Sequence, residues 1–400
     1  MQGKLFIYYT NTDEQMVELK GLRIIHISPK IISSNKIGGG ERYPQKIAEA
    51  LSNFGLDISL VTFSNDKVEK HEVIGNLIIK QYRALEIISP FVYEYNPLPI
   101  SLSFFKILKE ADVIHLHQFR TLTTSLSVLF VSLTKLFNRF DRNKNKKIVV
   151  VTDHGGGGLA HFSYLIGGYI DSFLLVSQFS AKRFLKYGKN RTRIIYGGVS
   201  PNEFYPIKNV EKDNKVLFVG RILPHKGCEY LVKAVQDLNV ELNIVGPPIH
   251  IRYLKYLKSI DKNNKIIFRF NISDDDLVKI YNSSIVTVLP SVYVDCYGRY
   301  HKEPELLGLV LLESMACETP VICTNVGGMP EIVENGENGF IVQPYDSQEL
   351  KTKIQYLIDN PDEVKRMGRN GRKKILEKFT WEKVAERCIG AYRELLNKKG

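Results

Sequence analysis

Lys215-Val-Leu-Phe-Val-Gly-Arg-Ile-Leu-Pro-His-Lys-Gly227 begins as a short apolar run, breaks at Gly220, and passes beyond Gly227 into a segment of helical pattern. A strand that ends on glycine and turns into a helix is half of a βαβ unit. The same alternation continues downstream with ELNIVG (241–246), KIIFRF (265–270), IVTVLPS (285–291) and PVICTN (320–325), each separated from the next by a helical pattern. Upstream, LRIIHIS (22–28), DISLVTF (57–63), DVIHLH (112–117), KIVVVTD (147–153) and FLLVS (173–177) form an earlier series of the same kind. Short Ile, Val and Leu runs alternating with amphipathic segments are the mark of parallel sheets covered by helices, so the fold class is α/β. Between the two series, SPNEFYPIKNVEKDNK (200–215) is polar and carries two prolines, which predicts a linker. Two domains are expected, 1–200 and 201–380, with the strand carboxyl ends of both opening on a shared cleft. Residues 1–20 match no pattern.

Three stretches carry chemistry. Gly38-Gly39-Gly40-Glu41 lies between a strand and a helix predicted over 41–53, and lets backbone amides approach an anion at the helix start. It lacks the G-x-G-x-x-G spacing, so a tight βα turn accounts for it equally well. The second stretch places Arg221 and Lys226 at the carboxyl end of a strand beside a helix start. There Arg can grip phosphate oxygens bidentately and Lys adds a point charge, which together make a pyrophosphate clamp. The third, Glu305-Leu-Leu-Gly308-Leu-Val-Leu-Leu-Glu313-Ser-Met-Ala, sets two carboxylates eight residues apart around a glycine turn. The helix dipole alone accounts for Glu305 near a helix start. It does not account for Glu313, whose apolar neighbours predict a hydroxyl or cation as partner, with Leu309, Leu312 and Met315 packed behind.

The 400-residue chain is 44% hydrophobic, enough for two ordinary domains. Its opening residues, MQGKLFIYYTNTDEQ, lack the pattern of a secretory signal, and the longest apolar stretch (122–137) is shorter than the ~20 residues of a spanning helix. A cytoplasmic protein is expected. Five cysteines without a C-x-x-C pair argue against a disulfide framework or a zinc ribbon. The net charge of +12 is concentrated in residues 101–200, which hold 15 Lys and Arg against 5 Asp and Glu, chiefly in 139–147 and 182–193. A solvated basic face and contact with an acidic membrane surface or a phosphate-bearing acceptor are both open. Nucleic acid is not expected, because no recognition signature accompanies the charge.

GGGERYPQKIAEAL, VGRILPHKG, PELLGLVLLESMACETPVICTNVGGMPEIVENGENGFIV and FTWEKVAERCIGAYREL, in this order over nearly the whole chain beyond residue 20, resemble the retaining family 4 glycosyltransferases. The E-x7-E stretch followed by the GG-x-PE turn is the most specific part. The resemblance implies a GT-B fold, two Rossmann-like parallel-sheet domains facing each other across a cleft, with a C-terminal helix (381–400) crossing back to the first. It implies a nucleotide-sugar donor, an acceptor that is a glycan, a lipid-linked sugar or a small molecule, and transfer with retention and without a metal or other cofactor. By the same resemblance Arg221 and Lys226 bind the donor diphosphate, Glu313 takes the ribose hydroxyls, and Glu305 with the backbone of Leu307, Gly308 and Leu309 holds the sugar. Gly39 and Gly40 would meet the diphosphate from the other domain. His154, at a strand end before four glycines, would contact the donor sugar near the reacting carbon. His117 is a candidate for acceptor contact on the same edge, and His115 is expected to be buried.

Three features are this chain's own. Leu307 stands where the family usually has an aromatic residue, Phe270 where a glycine is common, and an expanded tyrosine-rich loop, VYVDCYGRYHKEP (292–304), precedes Glu305. Neither sugar nor base follows from the sequence. Asp274 and Asp276 have D-x-D spacing but fit the start of a helix capped by Ser273 better. An epimerase or hydrolase of nucleotide sugars, and a non-catalytic sugar- or membrane-binding module, are the alternatives. A dinucleotide-dependent oxidoreductase is disfavoured by the missing glycine fingerprint.

Overall fold

The computed structural model describes residues 19–29, 39–64, 68–86, 97–137, 147–155 and 161–399. They fall into two compact units, one drawn from the chain up to Tyr196 and from Trp381 onward, the other from Gly197–Thr380.

In the first unit, β1 (Arg23–Ile27), β2 (Asp57–Ser64), β3 (Lys70–Ile74), β4 (Leu77–Glu86), β5 (Pro97–Pro99), β6 (Val113–His117), β7 (Ile148–Asp153), β8 (Ser172–Leu175) and β9 (Thr192–Ile194) form one sheet. Its order is β3-β4-β2-β1-β6-β7-β8-β9, with β5 on β4. β3 and β5 run antiparallel to β4 and all other pairs are parallel. β6, β7 and β8 are buried along their whole length, which is why they read as unbroken apolar runs. Helix α1 (Gly39–Asn53) starts two residues before the predicted position, and Pro44 is accommodated in its early turns. Gly38 lies outside the described residues.

In the second unit, β10 (Asp213–Val219), β11 (Glu241–Val245), β12 (Ile266–Arg269), β13 (Ser284–Leu289), β14 (Val321–Thr324) and β15 (Gly339–Val342) form a parallel sheet in the order β12-β11-β10-β13-β14-β15. Four helices matter below: α2 (Cys228–Val235), α3 (Asp274–Ser283), α4 (Leu309–Ala316), and α5 (Trp381–Asn397) of the first unit. Ser273 caps α3 through its hydroxyl, which accepts from Asp276 N at 3.1 Å. The stretch 200–215 is not a free linker. Phe204 is buried, Lys212 Nζ donates to Ser284 O at 3.1 Å and Thr319 Oγ1 at 2.8 Å, and β10 already begins at Asp213.

Each sheet has one point where the strand order reverses. In the first, β1, β2 and β4 spread one way and β6 to β9 the other; in the second, β10 to β12 spread one way and β13 to β15 the other. Loops leaving the carboxyl ends on either side of such a point splay apart and leave a crevice, where parallel α/β sheets bind ligands. The candidate residues of both units cluster at these two places.

Candidate functional site

In the second unit the crevice lies beyond β10 and β13. The loop after β10 leaves Arg221 exposed and anchors itself through buried Ile222. It then makes a single 3-10 turn over Pro224–Lys226. Gly227 (φ +65°) presses on the loop after β13: a Cβ there would stand 2.1 Å from Pro290 O, so no other residue fits. Val292 N donates to His225 O at 2.9 Å and joins the two loops again.

This fixed crossing brings two predicted residues together. Lys226 Nζ lies 2.5 Å from Glu305 Oε2, with only 12% and 15% of the two side chains exposed. Two charges so shielded from water stabilise each other. The lysine keeps two further N–H donors and the carboxylate a second oxygen. Glu305 is held from behind by the Gly327-Gly328 turn. Gly328 N donates to Glu305 O at 3.2 Å, and a Cβ on Gly327 (φ +62°) would stand 1.8 Å from that oxygen. Tyr293 hydroxyl accepts from Gly327 N at 3.1 Å. The glycine turn thus recurs after the two-glutamate stretch because it is that stretch's backbone support.

Leu307 is buried, and Gly308 (φ +94°) leads into α4. Leu311, Leu312 and Met315 are buried behind the helix, with Ser314 and Ala316; Leu309, expected among them, is half-buried at its first position. Glu313 has the hydroxyl that its apolar setting predicted. Tyr281 on α3, fully buried, donates to Glu313 Oε2 at 2.9 Å. Sequence reasoning missed Tyr281, which lies 32 residues away with no local signal.

The tyrosine-rich loop is ordered around Asp295. Its carboxylate accepts from Tyr297 N (2.9 Å) and Arg299 N (3.1 Å), and His301 Nε2 lies 2.7 Å from it. Burial opposes ionisation, but His301 and these two amides hold the Asp295 carboxyl below the usual range. The His301 ring lies 4.6 Å from that of His225, whose pKa is lowered to about 3 by burial and by nearby Lys226. His225 is therefore a neutral ring beside the ion pair. Tyr297 and Tyr300 stand more than half exposed on the same loop.

In the first unit, His154 follows β7, beyond the β1/β6 reversal. Its Nε2 lies 2.9 Å from His117 Nδ1, and its ring lies 4.1 Å from that of Tyr43. His117 does not face outward. It is fully buried, and its other nitrogen lies 3.0 Å from His26 Nδ1, so the expected acceptor contact has no free atom to make it. The reason is the sheet face it lies on, where its ring packs against those of His26 and His115 and lies 6.3 Å from the Tyr43 ring of α1. His115 is buried, as expected. Gly39 and Gly40 are the first residues of α1; the glycines 156–158 after His154 lie outside the described residues.

Much of the described basic stretch is spent internally. Arg183 pairs with Asp153, Arg193 with Glu394 at 2.7 Å, and Arg191 donates to Gly168 O at 2.9 Å. Lys147 Nζ donates to Lys109 O at 2.6 Å. Residues 139–146 lie outside the described residues. Among the described residues no helix is long and apolar enough to cross a membrane.

Residues 200–374 match the family described as Glycosyl transferases group 1, and residues 37–203 match Glycosyltransferase Family 4. An uncharacterized glycosyltransferase of Methanocaldococcus jannaschii is 32% identical over 264 residues, 63% of this chain and 70% of that protein. Other curated relatives, at 26 to 30% identity, are spanned over little more than half their length, 56 to 58%. The structure is similar to sucrose-phosphate synthase of Thermosynechococcus elongatus, with a TM-score of 0.70 at 23% identity over 94% of this chain and all of that one. It is also similar to HepE of Anabaena, solved in complex with UDP, with a TM-score of 0.67 at 18% identity over 92% and 99% of the two chains.

Proposed function

Since this chain belongs to the group 1 glycosyltransferases, with two parallel-sheet units of the GT-B architecture, we propose that it moves a sugar from a nucleoside-diphosphate donor to an acceptor hydroxyl with retention of configuration. The observation that carries this reading is the Lys226–Glu305 pair at the strand-order reversal of the second unit. Arg221 and the two remaining donors of Lys226 take the diphosphate. Charge building there as the glycosidic bond breaks is offset by these cations and by the start of α2, with no metal required. Glu305 Oε1 and the backbone at Leu307, Gly308 and Leu309 take the sugar hydroxyls. Glu313, oriented by Tyr281, takes the ribose. His154 acts at the transferred sugar, and Gly39 and Gly40 offer backbone amides to the diphosphate. HepE binds UDP and, in another structure, UDP-glucose, so a uridine diphosphate sugar is the first donor to test.

The acceptor is proposed to be a glycan or lipid-linked sugar met at an acidic membrane surface on the cytoplasmic side. Supporting this, the helix Leu122–Phe137 leaves Leu129, Leu133, Leu136 and Phe137 between 46% and 83% exposed. That spacing is an apolar stripe, and the basic run 139–147 follows it directly in sequence. The test is a thermal-shift screen of nucleoside diphosphates and their sugars, followed by product detection with the stabilising donor and candidate acceptors. Release of nucleoside diphosphate that never depends on an acceptor would replace transfer by hydrolysis.

A further inference from the structure

The loop 292–304 folds back on itself as a short antiparallel hairpin. Val294 bridges Tyr300, His301 N donates to Tyr293 O at 2.6 Å, and Asp295 N donates to Arg299 O at 3.0 Å. Gly298 (φ +79°) makes the turn, its amide donating to Asp295 O at 2.9 Å. Two further hydroxyls tie the hairpin to its unit: Tyr345 accepts from Val294 N at 2.8 Å, and Tyr293 accepts from Gly327 N at 3.1 Å. These bonds close the hairpin without calling on an imidazole. Val294, Cys296, Tyr297, Arg299 and Tyr300 are exposed along it, whereas Asp295 is buried and the His301 side chain is only 19% exposed.

Asp295 decides which nitrogen of His301 carries the proton. Burial opposes its ionisation, but His301 and the amides of Arg299 and Tyr297 hold its carboxyl below the usual range, so it is a carboxylate and can only accept. His301 Nε2, 2.7 Å from Asp295 Oδ2, is therefore the donor. A neutral imidazole has one N–H and one lone pair, which leaves the lone pair on Nδ1. Among the described residues Nδ1 has no hydrogen-bond partner, and it is not enclosed.

The same ring rests against the donor clamp. It lies 4.6 Å from the ring of His225, whose neighbour Lys226 meets Glu305 Oε2. His225 is uncharged, because burial and Lys226 lower its pKa to about 3. The clamp thus has one uncharged acceptor at its side. A lone pair repels phosphate oxygens and suits an O–H, the group a sugar carries in number.

We propose that His301 accepts, at Nδ1, a hydrogen bond from a hydroxyl of the transferred sugar, with Asp295 as the positioning residue that fixes its ring and its tautomer. The inference rests on the reading that the Lys226–Glu305 site takes a nucleotide sugar, and it makes the hairpin a determinant of which sugar is taken. A site built to receive a hydroxyl rejects a sugar that lacks it.

Titration calorimetry of UDP, GDP, UDP-glucose, UDP-galactose, UDP-N-acetylglucosamine and GDP-mannose into the full chain tests this, with 1H–15N NMR of the histidine-labelled protein beside it. His301→Gln keeps an N–H for Asp295 but has no acceptor where Nδ1 stood. Asp295→Asn keeps an oxygen for the two amides but turns its NH2 toward Nε2, so the ring proton moves to Nδ1 and an acceptor becomes a donor. For the sugar nucleotide that binds the wild type most tightly, both variants should lose about tenfold in affinity, with the parent diphosphate within twofold. Wild-type His301 should be protonated on Nε2, and its Nδ1 signal should move on adding that sugar nucleotide but not on adding the diphosphate. Unchanged sugar-nucleotide affinity in both variants, an equal loss for sugar nucleotide and diphosphate, or a wild-type His301 that is cationic or protonated on Nδ1 would overturn the proposal. If the diphosphate binds as the clamp requires and only the sugar effects are missing, His301 alone loses its role. If neither diphosphate binds the wild type, the reading of the clamp falls and this inference with it.

Discussion

Lys226 Nζ and Glu305 Oε2, 79 residues apart in sequence, meet at 2.5 Å and tie the loop after β10 to the loop before α4. Because both side chains are nearly buried, removing either leaves the other charge short of a partner as well as removing a donor contact. Lys226→Ala and Glu305→Gln are each expected to lower kcat/KM at least 100-fold, about 2.7 kcal/mol of transition-state stabilisation. Thermal melts of both variants should remain cooperative, which separates lost chemistry from lost fold.

The support behind Glu305 makes a sharper prediction. Gly327→Ala puts a methyl group into the Glu305 carbonyl and forces a side chain into the left-handed region. It should cost about 2–4 kcal/mol of stability and at least tenfold in activity. Denaturant unfolding and turnover measure the two losses. Gly336→Ala shares the positive φ (+83°) but meets nothing within 4 Å. It should cost stability only, about 1 kcal/mol.

Tyr281→Phe removes the hydroxyl donated to Glu313 and leaves the ring in place. A stability loss of about 1 kcal/mol and a threefold to tenfold weaker nucleoside diphosphate are expected. Calorimetric titration checks the second number. Glu313→Gln should weaken the nucleotide more than Tyr281→Phe does.

Acid should loosen the first unit. His26, His115 and His117 take up protons near pH 6.5 when unfolded; when folded, His26 does so only near 3 and the other two well below 6.5. The unfolded chain therefore binds more protons as pH falls below 6.5, and stability falls with it. Each ring contributes up to about 1.4 kcal/mol per pH unit in that window. Melting curves between pH 7.5 and 5 should show the midpoint falling.

The membrane proposal separates from the donor site. Leu133→Glu with Phe137→Glu, or Lys144→Gln with Lys146→Gln, should reduce binding to acidic vesicles at low salt and leave nucleotide affinity unchanged. Lys147 is a poor choice for this test, because its ammonium is bound to backbone carbonyls. Sedimentation with vesicles of phosphatidylserine and phosphatidylcholine reads the effect.

What was legible in the sequence was periodic or local. The apolar runs that became β1, β2, β6 to β8, β10, β11, β13 and β14 stood out because those strands are largely buried on both faces, β12 stood out by its apolar run although it is part-exposed, and Ser273 announced its helix by capping chemistry. The hairpin of β3 and β4 did not stand out, because β3 is exposed on every residue and carries no apolar pattern. The pairing of Lys226 with Glu305, the hold of Tyr281 on Glu313 and the inward turn of His117 depend on strand order, which no single segment encodes. His117 shows the cost: at a strand's carboxyl end in sequence, it is enclosed in space by the rings of His26, His115 and Tyr43 on one face of the sheet.

Titration of uridine and guanosine diphosphates into the wild type and Lys226→Ala tests the central claim most directly. The clamp predicts that one of them binds the wild type and loses at least 30-fold in affinity, about 2 kcal/mol, in the variant. Equal affinity of that nucleotide for both proteins would contradict it.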